Sequence, residues 1–348
     1  MEIGGRERIV ADLCRTALGL GIQPVLITYD VTPPGAAVIE APGVPVVALD
    51  RRDPAFQAQI GACLKRERID VLHAQGHISA ALVAGARGNV PMVATMHVAL
   101  GSGWRWLLPI VRGLRAADAL TAVSDDLARR FGRLAGKAIE VIPTGVDLAR
   151  FRPSERTPPV GEPFTIGIAA RLHPVKRHCD AIAAMRILRE RGARCRMLIA
   201  GEGPCRDAIA AAARGLDVEL LGPVTDMPGF LHRLGAFLLP SDHEGTPAAL
   251  LEAMACGLPC IATKVGGMPA LLGEAGILVA RRDPDAIADA VEWLASDPGA
   301  RRTFGHLAAD LALRQGSDAQ AERYARLYRA LAHEHPLPER AHLPPRSS

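Results

Sequence analysis

The stretch Leu238-Leu-Pro-Ser-Asp-His-Glu-Gly-Thr-Pro-Ala-Ala-Leu-Leu-Glu252 reads as a strand end, a loop and the start of a helix. Pro240 stops the strand. Thr246 followed by Pro247 has the composition of an N-cap and a first helical position. A helix that begins where a strand ends turns free N–H groups and the positive end of its dipole toward that point, a setting suited to a phosphate. Glu252 falls on the second turn and Glu244 in the loop ahead of it, so the two carboxylates are placed to hold hydroxyl groups on opposite sides of such a phosphate. Taken alone, the stretch leaves a second alternative open, a loop glutamate and a solvated helix position.

Outward from this stretch, short apolar runs alternate with helical patterns along the whole chain. Strands are expected at Val25–Thr28, Val44–Ala48, Val71–His73, Met92–Met96, Ala119–Val123 and Ala138–Ile142, then at Phe164–Ala170, Arg196–Ala200, Val218–Leu221, Ala236–Leu239, Pro259–Thr263 and Gly276–Val279. The runs are continuous rather than alternating, as in parallel sheets covered on both faces. Between the two sets lies Phe151–Pro163, rich in proline and charge, which reads as a linker. The expected fold is therefore α/β, two doubly wound Rossmann-like domains facing a cleft, with ligands at the carboxyl ends of the strands. Residues 1–155 form the first domain and 156–315 the second. A C-terminal helix over 316–332, with Tyr324, Leu327, Tyr328 and Leu331 on one stripe, packs back toward the first domain. Residues 333–348 are expected to be disordered. Met1-Glu-Ile-Gly4-Gly5 leads almost directly into a helix, so the first strand of the N-terminal domain is expected to be missing, or translation to begin upstream of Met1.

Bulk properties narrow the function. The chain has 348 residues, enough for two domains, and its 41 basic and 37 acidic residues leave a net charge of only +4. That excess suits small anionic ligands or an acidic membrane surface and excludes a nucleic-acid footprint. Seven scattered cysteines read as reduced thiols. With no apolar run long enough to span a bilayer and no signal-peptide pattern, the expected location is cytoplasmic, with a peripheral contact at the inner membrane face left open.

A second segment, Arg171-Leu-His-Pro-Val-Lys176, follows the expected strand Phe164–Ala170. A strand-end arginine with a lysine five residues on can clamp a diphosphate, the former by a forked contact and the latter as a point charge. Both would act on the charge that develops as a nucleotide leaves; taken alone, the segment leaves open the alternative of two ordinary solvated loop cations.

Together these segments resemble glycosyltransferase family 4, group 1, of the GT-B fold. The resemblance runs in order over nearly the whole chain, through Gly4-Gly5, Thr95-Met-His97, Ala122-Val-Ser124, Ile142-Pro-Thr-Gly-Val-Asp147 with Arg150-Phe151, and Gly201-Glu-Gly-Pro204. It implies a retaining, metal-independent transferase that moves a sugar from a nucleotide-diphosphate sugar to a hydroxyl acceptor, in cell-surface polysaccharide or glycolipid synthesis. Arg171 and Lys176 would bind the donor diphosphate and Glu252 the ribose. Glu244 with the backbone at Gly245 and Thr246 would face the sugar and phosphates. His97 would reach the donor sugar, backbone near Val224 the base, and Gly4 and Gly5 the phosphates or acceptor. The nucleotide sugar is a co-substrate, and no further cofactor is implied. Partners are then the nucleotide sugar and a sugar or lipid-linked sugar acceptor. Thr246 departs from the bulkier apolar residue common at that position, which leaves the sugar preference open. Two other readings are a non-catalytic nucleotide-sugar-binding partner and a sugar-nucleotide epimerase.

Weaker signals have plainer explanations. Asp283-Pro-Asp285 and Ser124-Asp-Asp126 have the composition of helix caps rather than metal sites. Cys256 and Cys260 lack a second pair and read as packing residues. Trp104-Arg-Trp-Leu-Leu-Pro-Ile-Val-Arg112 reads as a helix packed beside the cleft, with contact to anionic lipid as the alternative.

Overall fold

Apolar strands without alternation need cover on both faces, and a helix follows nearly every strand of the computed structural model. It describes residues 5–29, 42–100, 106–153, 163–245 and 247–334. The chain divides into two compact units, Met1–Pro143 with Asp318–Ser348, and Thr144–Ser317.

The first unit runs α1 (Gly5–Gly19), β1 (Leu26–Tyr29), β2 (Val46–Leu49), α2 (Phe56–Arg66), β3 (Leu72–Gln75), α3 (His77–Val83), β4 (Met92–Met96), α4 (Leu107–Ala116), β5 (Ala119–Ala122), α5 (Asp125–Ala135) and β6 (Glu140–Val141). All its strand pairs are parallel, but they form two sheets, β1-β2 and β3-β4-β5-β6. Among the described residues no strand joins β1 to β3. Tyr29 of β1 and Leu49 of β2 nevertheless pack against the core built from Phe56, Ile60, Met92, Leu114 and Phe131, so both sheets border one apolar interior. Ser124 caps α5, its hydroxyl accepting from the Leu127 N–H, so Ser124-Asp-Asp126 is a helix start.

In the second unit come β7 (Phe164–Ala169), α6 (His178–Glu190), β8 (Cys195–Ala200), α7 (Arg206–Ala212), β9 (Val218–Gly222), α8 (Met227–Leu231), β10 (Ala236–Leu239), α9 (Ala248–Ala255), β11 (Cys260–Thr263), α10 (Met268–Leu272), β12 (Gly276–Val279), α11 (Pro284–Ser296) and α12 (Pro298–Leu313). The strands form one parallel sheet in the order β12-β11-β10-β7-β8-β9. Successive side chains of β10 go to opposite faces. Phe237 and Leu239 join one core with Leu250, Met254 and Leu272, while Ala236 and Leu238 join the other with Ile168, Ile182 and Leu294. This is the physical reason the strand reads as a run of four apolar residues. Asp283 caps α11 through the Ala286 N–H (3.0 Å), which engages its carboxylate in capping.

Helix α13 (Ser317–Glu334) belongs, from Asp318 on, to the first unit. Tyr324 is buried there beside Leu13 and Ile142, with Leu327 and Tyr328 packed against them. Gln320 donates to the Pro143 carbonyl (2.9 Å) and Arg323 to Glu140 (3.0 Å). The compact units divide ahead of the boundary expected at 155/156, between Pro143 and Thr144, because Val146 and Phe151 are buried in the second unit's core and Val146 bridges to Gly316. Most of the proline-rich linker, residues 154–162, lies outside the described residues, as does the tail from residue 335. No helix among the described residues is long and apolar enough to cross a membrane.

All seven cysteines are free. Burial pushes the Cys256 thiol up to about 12 and the Cys260 thiol up as well, and Cys260 donates to the Leu258 carbonyl. Inert, packed thiols fit these values better than metal ligands do.

Candidate functional site

In the second sheet the chain leaves β7 toward β8 and β9 on one side, then returns to place β10 on the other. The carboxyl ends of β7 and β10 therefore lie at a topological switch point, where open parallel sheets hold ligands. Arg171 follows β7 and Glu244 follows β10.

Beyond β7, the loop is held by its neighbour from β8. Ala170 N–H donates to the Ala200 carbonyl (3.0 Å), Leu172 N–H to Glu202 (2.8 Å) and Cys205 N–H to Leu172 (3.0 Å). Gly201 makes the approach possible, since a Cβ there would lie 2.1 Å from the Ala170 carbonyl oxygen. With Leu172 fully buried, Arg171 projects between fixed points and is exposed. A short 3-10 turn, Pro174–Lys176, follows, capped by His173 and ended by Arg177 in the left-handed region at φ 52°. Arg177 grips Asp180 with two hydrogen bonds (2.9 and 2.7 Å), which anchors that turn to α6.

The loop after β10 is tied down in turn. Asp242 N–H donates to the Val175 carbonyl (2.8 Å), joining the two loops. Arg282 donates to both oxygens of Asp242 (3.2 and 3.0 Å) and holds its carboxyl below the ordinary value. Thr263 donates to the Ser241 carbonyl (2.5 Å), and the Ser241 hydroxyl donates to Glu244 Oε1 (2.7 Å). Lys176 Nζ donates to the same oxygen. The Glu244 side chain is only 8% exposed and that of Lys176 21%, so this ion pair is largely withdrawn from water. Beneath it, Gly266 at φ 53° meets the Glu244 carbonyl, and Gly267 N–H donates to Gly245 (3.2 Å).

The structure thus brings Lys176 and Glu244 together and sets Arg171 at the same sheet edge. The helix start needs a one-residue correction: α9 begins at Ala248 with Pro247 as its N-cap, at φ −75° and ψ 112°, because a proline ring tolerates that extended backbone. Thr246 lies outside the described residues. Glu252 is on the second turn of α9 as expected, and it is buried. Val224 follows β9 and is half-buried against the second unit's core.

In the first unit His97 follows β4 and is buried, its Nε2 at hydrogen-bond distance from Gln75 Oε1 (2.7 Å). Gly5 is the first residue of α1, and Gly4 lies outside the described residues. The first turn of α4 differs from the packed helix expected of it. Trp106, Leu107 and Leu108 are exposed, as are Val98 and Leu100, while Ile110, Gly113 and Leu114 are buried. Residues 101–105 lie outside the described residues.

Reading the sequence did not find Ser241, Asp242, Arg282 or Gln75. For Gln75 a signal existed: His73 and Gln75 on β3, and Thr95 on β4 with His97 just beyond it, are polar at alternate positions of otherwise apolar runs, hence on one face. Asp242 and Arg282 carry no such pattern, since their pairing depends on the strand order.

Two family models match in series, Glycosyltransferase Family 4 over residues 3–150 and Glycosyl transferases group 1 over residues 163–297. The chain is 30% identical over 387 residues to D-inositol 3-phosphate glycosyltransferase 2 of Catenulispora acidiphila, covering 94% of this chain and 90% of that protein. With glycogen synthase of Mycobacterium tuberculosis (strain CDC 1551 / Oshkosh) it is 32% identical over 263 residues, covering 67% of this chain and only 62% of the relative's length. The structure of HepE from Anabaena in complex with UDP-glucose aligns with a TM-score of 0.81 at 18% identity, covering 94% of this chain and 97% of that one. Two Rossmann-like units of parallel sheet, with charged loops at the switch point of the second, define the GT-B class. The chain belongs to the group 1, family 4 glycosyltransferases.

Proposed function

We propose that the protein transfers a sugar, with retention of configuration and without a metal ion, from a nucleotide-diphosphate sugar to a hydroxyl acceptor. The observation that carries this reading is the Lys176–Glu244 pair, fixed by Ser241 at the switch point beside Arg171. Lysine and arginine meet the diphosphate, Glu252 the ribose and Val224's backbone the base, while Glu244, Gly245 and Thr246 face the sugar and phosphates. His97 is assigned to the donor sugar, and Gly4 and Gly5 to the phosphates or acceptor. Attack from the front face breaks the bond from the anomeric carbon to the phosphate oxygen and forms the new glycosidic bond on the same side. The acceptor's proton passes to the departing phosphate, so the protein need supply no nucleophile and no further cofactor. Its own contribution is charge stabilisation of the leaving group. HepE, with UDP-glucose bound, lends support to a uridine-type donor.

Arg171→Ala and Glu252→Ala are each expected to weaken nucleotide-sugar binding by about 10- to 100-fold, the cost of losing one charge-assisted contact. Titration calorimetry with UDP-glucose and GDP-mannose measures this, and unchanged affinity in both variants for whichever donor binds would sink the assignment. A competing reading is a partner that binds nucleotide sugars without turnover. Release of UDP or GDP on adding acceptor sugars separates the two.

The acceptor reading is a lipid-linked sugar at a cytoplasmic membrane face, in polysaccharide or glycolipid synthesis. Support comes from the exposed Trp106, Leu107 and Leu108, which lie on the same helix as the exposed Arg112 and Arg115. Apolar residues beside arginines suit an anionic bilayer surface. Co-sedimentation with vesicles rich in phosphatidylglycerol is expected, and to be lost in Trp106→Ser/Leu108→Ser. Equal binding to neutral vesicles, or none to either, would remove this part of the proposal.

A further inference from the structure

One face of β3, β4 and β5 carries a row of polar side chains in an otherwise apolar unit. His73 and Gln75 lie on β3, Thr95 on β4 with His97 just beyond it, and Thr121 on β5. Gln75 pairs in register with Thr95, and Thr95 with Thr121. Helix α13 lays Tyr324 and Tyr328 over this row. The hydrogen bonds run His73 Nδ1 to Tyr328 Oη (2.5 Å), His73 Nε2 to Thr95 Oγ1 (2.6 Å), Thr95 to Thr121 (2.6 Å) and Thr95 to Tyr324 (3.1 Å). Both ring nitrogens of His73 are engaged by hydroxyls, and the Tyr324 and Tyr328 rings pack on it at centroid distances of 5.0 and 5.6 Å. Burial, with the nearby His97, pushes His73 down to about 3, so its ring stays neutral.

The amide nitrogen of Gln75 stands 3.2 and 3.3 Å from the two nitrogens of His73. Near-equal distances put it over the ring rather than at one nitrogen's edge. An N–H group is favourable against that electron-rich face, whereas a carbonyl oxygen would be repelled. This decides which way the amide points, a question that electron-equivalent atoms leave to their partners. The amide oxygen is consequently the atom turned to His97, 2.7 Å from its Nε2. An amide oxygen can only accept, so the hydrogen must be on His97 Nε2.

We propose that Gln75 is a positioning residue that holds His97 as its Nε2–H tautomer, itself seated on His73 by Tyr328 of α13. The functional consequence rests on the reading in which His97 meets the donor sugar. A neutral histidine has one donor and one acceptor nitrogen. With Nε2–H committed to Gln75, Nδ1 is the unprotonated nitrogen, so the tautomer that His97 brings to the donor sugar is set before any substrate arrives. Through Tyr328 that orientation depends on a helix far along the chain from His97.

Long-range 15N–1H NMR of the full chain labelled at histidine nitrogens tests this directly, with His97 assigned by the signals absent in His97→Gln. In the wild type at neutral pH, His97 is expected to show the Nε2-protonated pattern. Gln75→Leu should convert it to a mixture of tautomers. In transfer assays Gln75→Leu should lower kcat by about 10- to 100-fold, the usual cost of losing a partner that orients a functional histidine, with donor KM changed less than about three-fold. An Nδ1-protonated His97 in the wild type, or an unchanged pattern in folded Gln75→Leu, overturns the proposal. If Gln75→Leu does not fold, the wild-type spectrum decides it, and an Nδ1–H tautomer there overturns it. The functional reading fails separately: normal transfer by His97→Gln removes His97 from the chemistry and leaves the tautomer result standing.

Discussion

Lys176→Ala is expected to lower sugar transfer by about two to three orders of magnitude, the range found when one preorganised group facing transition-state charge is removed. Lys176 is held on a 3-10 turn and aimed at the sheet edge by the Asp242 N–H bond to Val175. The substitution removes its charge and also strands Glu244, whose side chain is 8% exposed and, among the described residues, would keep only the Ser241 hydroxyl as a side-chain donor. An unpaired, nearly buried carboxylate costs about 1–3 kcal/mol of stability. Lys176→Met combined with Glu244→Gln removes both charges, so the double variant should recover most of the stability and none of the activity. Steady-state kinetics and urea denaturation measure the two effects separately. A Lys176→Ala protein with near-normal turnover would contradict the role given to this lysine.

Gly266→Ala should be the most damaging single methyl group in the second unit's loops. Gly266 has φ 53°, and a Cβ there would stand 1.8 Å from the Glu244 carbonyl oxygen. The obstacle is backbone, so the Glu244 loop itself must move. Left-handed backbone costs an alanine about 1 kcal/mol, and the displaced loop raises the expected loss to about 3 kcal/mol. Because a shift of about 1 Å in a positioning group can cost a hundred-fold in rate, transfer should fall by a similar factor. Gly136, which ends α5, supplies the control, left-handed at φ 69° and ψ 29° with no atom within 4 Å of the added Cβ. Gly136→Ala should show only the conformational cost, of about 1 kcal/mol, and normal activity. Equal effects at the two positions would show that backbone conformation, and not the contact with Glu244, explains the loss.

Much of the fold was legible because its signals are local. Strands β4, β10 and β12 occupy the residues read from their apolar runs, since burial on both faces removes alternation and leaves a run with clear ends. Strand β6 is shorter than the run 138–142, being the edge strand of its sheet, paired on one side only over Glu140 and Val141. The helix start near Thr246 was read one residue early, because proline serves equally as a cap in extended backbone and as a first helical residue. The compact units divide ahead of Phe151–Pro163 for a different reason. Composition marks where a chain is hard to pack, but Phe151, on the edge of that segment, is itself buried in the second unit's core.

The candidate site was legible in part. Glu244, Glu252, Arg171 and Lys176 stood out by type and spacing next to strand ends. Their relations did not, because residues contributed by different strands meet according to sheet order.

What the sequence determined by itself was the periodicity, the caps and the alternation of strand and helix, all set by interactions within a few residues. From these follow two doubly wound units and a charged loop at Glu244. Tertiary structure alone decided that β10 lies beside β7, which turns Lys176 and Glu244 into a shielded pair. It alone placed Tyr328 on His73 and His73 under Gln75. The physical reason is that such contacts depend on which strands are neighbours, and that choice is made by burial of the whole sheet rather than by any segment's own pattern.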